Sequence, residues 1–144
     1  MQDNQKIFHD LVFMLRPFEG QLSEILRKNG LQRSEWSVLY SVVHDPNVTA
    51  AELAQRLTIE KPNMARIIKD LSNAGYIEVE TSTVDKRRKN LRITPSGKHK
   101  YLEARVSIDA FEQDIVEGVT AMEQTHLLRA IEQMRNNLNK RAGI

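Results

Sequence analysis

The hydrophobic period of this chain changes twice, and those two changes constrain its fold more than any other feature. Up to Ala74-Gly75 the apolar residues recur at spacings of three and four, the mark of helices with one buried face. Ile77-Glu78-Val79-Glu80-Thr81 and Leu91-Arg92-Ile93 then alternate apolar and polar, which is the pattern of half-buried strands. From Thr94-Pro95 onward the helical spacing returns. The two alternating segments read as antiparallel strands joined by a long hairpin tip. The expected class is therefore mainly α (α+β), in the order helix, helix, helix, helix, strand, strand, helix, helix.

Local signals predict where these elements begin and end. Ile7, Phe8, Leu11, Val12, Leu15, Phe18, Leu22, Ile25 and Leu26 line a helix over 5–28. Pro17 removes an amide donor and predicts a kink or short break near Arg16. Asn29-Gly30 ends this helix. Ser34 is the expected N-cap of a second helix running to Val43, with Trp36, Leu39, Tyr40 and Val43 on its apolar face. Asp45-Pro46-Asn47 is a turn. Thr49-x-x-Glu52 has capping-box spacing and opens a third helix, Ala50 to Leu57. Thr58 is the expected cap of a fourth helix over 60–74. Thr94 and Pro95 supply cap and first position of a long helix to about Gly118. A final helix over 122–141 carries a packing seam of Leu127, Ile131, Met134 and Leu138.

The formal charge of +2 conceals an asymmetry. Residues 60–100 hold ten basic and five acidic side chains, while the segments on either side are near neutral or slightly acidic. Lys86, Arg87, Arg88, Lys89, Arg92, Lys98 and Lys100 face only Asp85. Such a block is the footprint of a surface that binds a polyanion, or else a solvated loop with no partner.

Its neighbourhood decides between these. A short helix, a tight turn at Thr58-Ile59-Glu60 and a second helix form a helix-turn-helix, whose second helix enters the DNA major groove. On that recognition helix Met64, Ile68 and Leu71 fall on one side and form the buried face. Pro62, Asn63, Arg66 and Lys69 fall on the polar remainder. Asparagine and arginine make paired hydrogen bonds to adenine and guanine. The N-terminal end reaches base edges, so Lys61, Asn63 and Arg66 are candidates for base contact and Lys69 for phosphate contact. The basic hairpin tip, a wing over 82–90, follows at once and reaches the adjacent minor groove or backbone through Arg87 or Arg88. Asp85 accepts a hydrogen bond from an arginine or a backbone amide and fixes the tip. A charge pair between Glu78 or Glu80 and Arg92 is expected across the strands.

Leu53-Ala54, Ile59 to Arg66, Leu71, Gly75-Tyr76-Ile77, Asp85-Lys86-Arg87-Arg88 and Leu91 to Gly97 together resemble the winged helix-turn-helix regulators of the MarR family. The resemblance spans nearly the whole chain. Its most specific part is Asp85-x-Arg87 followed by Thr94-Pro95-x-Gly97. It implies a homodimer held by the N- and C-terminal helices and bound to a pseudo-palindromic operator in double-stranded DNA. It implies Arg66 and Arg87 as DNA contacts, with Asp85 orienting the wing. It also implies a transcriptional regulator, commonly a repressor, released by a small aromatic or anionic effector. The matching effector positions are Arg16 and Trp36, although Pro17 departs from the usual first-helix pattern. The residues themselves also fit Arg16 as an ion-pair partner and Trp36 as core.

The expected organisation is an N-terminal arm over 1–30, a winged helix-turn-helix core over 31–97, and C-terminal arm helices over 98–144. Dimerisation has support of its own, because the arms carry more apolar stripe than a small winged core can cover. Two other readings share the charges: a nonspecific or architectural DNA binder, and a winged-helix module that meets an acidic protein.

Composition excludes several chemistries. Cysteine is absent, which removes disulfides, thiol catalysis, cysteine-ligated zinc and thiol redox sensing. The histidines at 9, 44, 99 and 126 show no metal-ligand spacing, so no metal site is expected. There is no phosphate-cradling glycine loop, nucleophile elbow or metalloprotease helix, so neither an enzyme nor a cofactor is expected. No apolar run has membrane-spanning length and the N-terminus lacks a secretory apolar stretch, so the chain reads as cytoplasmic.

Overall fold

Helices and one hairpin appear in the order that the periodicity predicts. The computed structural model describes residues 2–82, 84, 85 and 87–143. They form α1 (Asp3–Lys28), α2 (Arg33–His44), α3 (Ala50–Arg56), α4 (Lys61–Asn73), β1 (Ile77–Thr81), β2 (Lys89–Ile93), α5 (Pro95–Ile115) and α6 (Ala121–Arg141). The strands pair antiparallel, with Ile77 opposite Ile93 and Val79 opposite Leu91. The chain divides into two compact units, residues 1–109 and residues 110–144.

The first unit holds the core. Leu26 of α1, Val38, Leu39 and Val42 of α2, Leu53 of α3, Met64 and Leu71 of α4, Ile77 and Leu91 of the hairpin, and Ile108 of α5 are all buried. Each such side chain removed from water stabilises the fold by about 1.5–3 kcal/mol. On α2 the buried face is Trp36, Val38, Leu39 and Val42, so it is rotated from the expected one. Tyr40 is 43% exposed instead.

Three local expectations are corrected. Helix α1 is continuous through Pro17, without the break expected near Arg16. Phe13 and Pro17 are both exposed, so the carbonyl that proline deprives of its donor lies on the side of the helix open to water. Gln32, not Ser34, caps α2, through reciprocal bonds with Glu35. Thr58 is not the cap of α4, a role taken by Glu60. Thr58 instead closes α3 in the left-handed conformation, at φ 53°, with the Ile59 amide donating to the Ala54 carbonyl at 2.9 Å.

Other termini form as read. At Asn29-Gly30 the Gly30 amide donates to Arg27 and the Leu31 amide to Leu26, a closure that glycine permits at its φ of 74°. Thr49 accepts the Glu52 amide at 3.2 Å, but the Glu52 carboxylate turns to Arg88 and Arg56 instead of closing the box. Thr94 caps α5, accepting from the Gly97 amide at 2.9 Å and donating to the Gly75 carbonyl at 2.5 Å.

The sheet has one addition. The Leu91 amide donates to the Val48 carbonyl at 2.8 Å, and Thr49 bridges Asn90 antiparallel. The turn before α3 thus adds a short rung to the free edge of β2.

In the second unit, Thr120 and Glu123 form a reciprocal capping box at the start of α6. No described residue of α6 is buried. Leu127, Ile131 and Leu138 of its seam are exposed. No described helix is long and apolar enough to cross a membrane.

Candidate nucleic-acid interface

The turn Leu57-Thr58-Ile59-Glu60 joins α3 to α4, and α3 packs on α4 across it. Pro62 in the first turn of α4 has no amide to leave unsatisfied there and is preset to helical φ. Met64, Ile67, Ile68 and Leu71 form the buried face of α4, one residue wider than the expected set because Ile67 joins it. With these four inward, Lys61, Pro62, Asn63, Arg66 and Lys69 are all exposed. Among the described residues, the side chains of Lys61, Arg66 and Lys69 enter no hydrogen bond or ion pair. The outward face therefore offers three uncommitted cations and an amide over about two and a half turns of helix.

The wing is braced from within. The Ser82 hydroxyl accepts from the Val84 amide at 3.2 Å and the Asp85 amide at 3.3 Å. The Asp85 carboxylate accepts from the Arg87 amide at 3.0 Å and the Arg87 Nε at 3.3 Å. Asp85 therefore holds the tip as the sequence suggests, and the acid among the cations has a structural use. The Arg87 side chain remains 92% exposed. Lys86, a candidate of the same group, lies outside the described residues.

Arg88 is placed differently from Arg87. It turns back on the protein, to the Glu52 carboxylate at 3.1 Å, the Asn47 carbonyl at 3.3 Å and the Asn90 side-chain oxygen at 3.2 Å. Arg92 pairs with Glu80, on the diagonal, and not with Glu78 directly opposite. Two hollows flank the wing. One, of about 400 Å³, lies against Thr49, Ala50, Ala51, Asp85, Arg87, Arg88 and Lys89. The other, of about 360 Å³, lies between α4 and the hairpin, bounded by Lys69, Ser72, Val79, Lys89 and Leu91 among others. The Ser72 hydroxyl is buried without a hydrogen-bond partner.

This architecture has known relatives. Residues 29–88 match the MarR family model. An uncharacterized HTH-type transcriptional regulator of Staphylococcus aureus (strain MSSA476) is 28% identical over 137 residues, covering 95% of this chain and 92% of the relative. Staphylococcus aureus MarR, solved in complex with salicylate and kanamycin, superposes with a TM-score of 0.83 at 26% identity, covering 95% of this chain and 93% of that one.

Over residues 29–88 the sequence matches the MarR family, and nearly the whole chain takes the fold of a solved MarR.

A complex of S. aureus MepR with DNA shares the fold, at a TM-score of 0.75 and 17% identity, over 95% of this chain and 99% of that one. The chain is thus similar over nearly its whole length to an HTH-type transcriptional regulator, and the part that matches the MarR family model holds α2, α3, α4 and the first strand of the wing.

The two expected effector residues meet different rings. The Arg16 guanidinium stands 5.3 Å from the centroid of Phe13, on the exposed side of α1. Trp36 is buried and stacks on Tyr101 with centroids 5.1 Å apart. The cation over Trp36 is Arg105 of α5, 6.0 Å from the ring. Tyr40 and His44 stack on each other at 4.1 Å and continue the aromatic surface between α2 and α5. Sequence reasoning did not single out Tyr40, Tyr101 and Arg105 as one cluster, because α2 and α5 are joined only in space.

It also missed Ser82, Asn47 and Asn90. The visible signal for Ser82 was a small hydroxyl residue three before Asp85, the spacing at which a side chain closes a turn onto backbone amides. Nothing local marks Asn47 and Asn90.

Proposed function

We propose that this regulator binds a pseudo-palindromic duplex operator as a homodimer, with α4 in the major groove and the wing on the adjacent minor groove. The observation that carries this is the outward face of α4. Lys61, Asn63 and Arg66 have no internal partner and stand beside a braced wing whose Arg87 is almost fully exposed. Arg66 and Asn63 have the donors and acceptors to read guanine and adenine edges. Lys61, at the helix start that Pro62 fixes, is the third base-contact residue, and Lys69 adds a phosphate contact. At the wing, Arg87 reads the narrow groove by charge, while Asp85 holds it in place. Lys86 belongs to the same proposed contact surface.

The homodimer reading rests on the exposed apolar stripes of the two arms. Phe8, Val12 and Leu15 of α1 are about half exposed, as is Leu127 of α6. A second copy covers such stripes, and its two-fold axis places two recognition helices about one turn of DNA apart, roughly 34–36 Å. The arms 1–30 and 98–144 then serve assembly and 31–97 serves binding.

The regulator acts as a repressor released by a small aromatic or anionic effector. This part draws on the salicylate complex of S. aureus MarR. In this chain Trp36, Tyr101 and Arg105 offer aromatic surface with a cation above it, chemistry that suits an aromatic carboxylate.

The test is selection of bound fragments from the source genome at physiological salt, with Arg66→Ala as control. A few palindromic sites, lost in the variant, are the expected result. Uniform recovery of all fragments makes the protein an architectural binder. No recovery makes the winged helix a protein-interaction module.

A further inference from the structure

We infer that Arg88 and Glu52 form a latch that positions the wing for DNA, and that Glu52, an acid beside a polyanion site, strengthens DNA binding. This rests on the DNA-binding reading above. Arg87 and Arg88 are neighbours in a basic loop and look equivalent in sequence. In the structure they are not. Arg87 points away from the surface, while Arg88 reaches three acceptors on three parts of the fold: the Glu52 carboxylate on α3, the Asn47 carbonyl in the turn before it, and the Asn90 side chain on β2.

Glu52 is well placed for this. It is the third residue of α3, where a carboxylate ordinarily reaches back to the cap. Here Thr49, the cap, is drawn into the bridge with Asn90, and the carboxylate turns to Arg88 and Arg56. Arg56 in turn reaches Asp45 at 3.1 Å. The chain Asp45, Arg56, Glu52, Arg88 thus runs from the end of α2 across α3 to the wing. A two-stranded hairpin alone is a marginal structure. Beyond its base it needs such ties to keep one direction relative to α4.

Simple electrostatics predicts the opposite sign for Glu52. Removing a negative charge beside a DNA-binding surface should tighten binding, and freeing Arg88 should add a phosphate contact. The latch predicts weaker binding, because the gain in charge is smaller than the loss of a preorganised wing.

The experiment combines two readouts on Glu52→Gln, Arg88→Gln, Arg88→Lys and the Glu52→Gln/Arg88→Gln double variant of the full chain. The α3 cap uses only the backbone amide of Glu52, so glutamine there leaves the helix start intact. The first readout is amide hydrogen exchange across 82–90 in the free protein. All four variants should accelerate it, and the double variant no more than the singles. Unchanged exchange overturns the latch, whatever the protein binds. The second readout is affinity for a duplex recovered in the genomic selection, measured across salt concentrations. Each variant should bind roughly three- to tenfold more weakly with an unchanged salt slope, and Arg88→Lys should not rescue. Tighter binding by Glu52→Gln overturns the proposal. So does a salt slope reduced by about one in Arg88→Gln, which would put Arg88 on a phosphate. If the wild type recovers no duplex, the DNA-binding reading fails, and hydrogen exchange alone decides the latch.

Discussion

Gly97 lies against the carbonyl oxygen of Tyr76 so closely that a methyl group on its α-carbon would overlap that oxygen. The same oxygen accepts the Thr94 amide at 3.0 Å. The start of α5, the end of α4 and the base of the hairpin are joined at this one point. A Cβ at 97 would also press on the Ile93 side chain, at 2.8 Å. In an ordinary helix, replacing glycine by alanine gains about 1 kcal/mol. Here overlap with backbone wins. Gly97→Ala is expected to destabilise the protein by about 1–3 kcal/mol, the usual cost of overpacking. Denaturant unfolding measures it, and a stabilised variant would show that the α5 start can shift away from Tyr76.

Thr58 is the reverse case. It is the one described residue other than glycine with positive φ, and it is exposed. A β-branched residue in that conformation is strained by about 1–2 kcal/mol, and glycine relieves the strain while adding roughly 0.5–1 kcal/mol of chain entropy to lose. Thr58→Gly should therefore raise stability by up to about 1 kcal/mol. Thermal unfolding should show a rise of a few degrees at most. A fall would mean that the threonine side chain contributes something at the turn that its exposure does not suggest.

Arg66 and Lys69 stand one helical step apart on the outward face of α4, and the proposed function separates them. Arg66→Ala should cost about 1–3 kcal/mol on an operator and relax preference at one base position. Lys69→Ala should weaken all sequences alike and lower the salt slope by about one. Binding titrations on matched and mismatched duplexes distinguish the two, and identical profiles would remove the distinction between base reader and phosphate anchor.

The arm of α1 carries the test of assembly. Phe8 is 56% exposed. Replacing Phe8 and Val12 by serine should leave the winged core folded and shift the protein from dimer to monomer in sedimentation. Operator affinity should fall with it, since one half-site is lost from each complex. A wild-type protein that sediments as a monomer ends this reading.

Acid should loosen the start of α6. The Thr120 backbone amide, and then its hydroxyl, hold the Glu123 carboxyl below the ordinary glutamate range. A carboxylate whose folded pKa is lowered stabilises the fold fully above its unfolded pKa, and loses that contribution as pH falls through the folded value. The capping box is fully exposed, so the effect belongs to local fraying. Amide exchange at 121–124 should rise as pH drops below the glutamate range, relative to Glu123→Gln, which should be insensitive. Parallel behaviour of the two proteins would show that the carboxylate is not the titrating group.

Much of this protein was legible without coordinates because its signals are local. Hydrophobic period locates the long helices and both strands, and the Thr49-x-x-Glu52 spacing locates the short third helix. Asn29-Gly30, Gly75 and Thr94-Pro95 mark helix ends because left-handed closure and preset φ are properties of single residues. The outward face of α4 follows once Met64, Ile68 and Leu71 are turned inward, since helix geometry leaves Asn63 and Arg66 nowhere else to point. The family resemblance rests on the same short motifs.

Tertiary structure decided what depends on residues far apart in sequence. Thr58 and Ser34 both looked like caps, and in the folded chain Glu60 and Gln32 hold those places. Glu80 rather than Glu78 meets Arg92, because side-chain reach on a twisted hairpin favours the diagonal. Arg87 and Arg88 carry the same charge in the same loop. Which of them faces outward was settled by Glu52 and Asn47, some forty residues earlier, through contacts that exist only after the chain has folded.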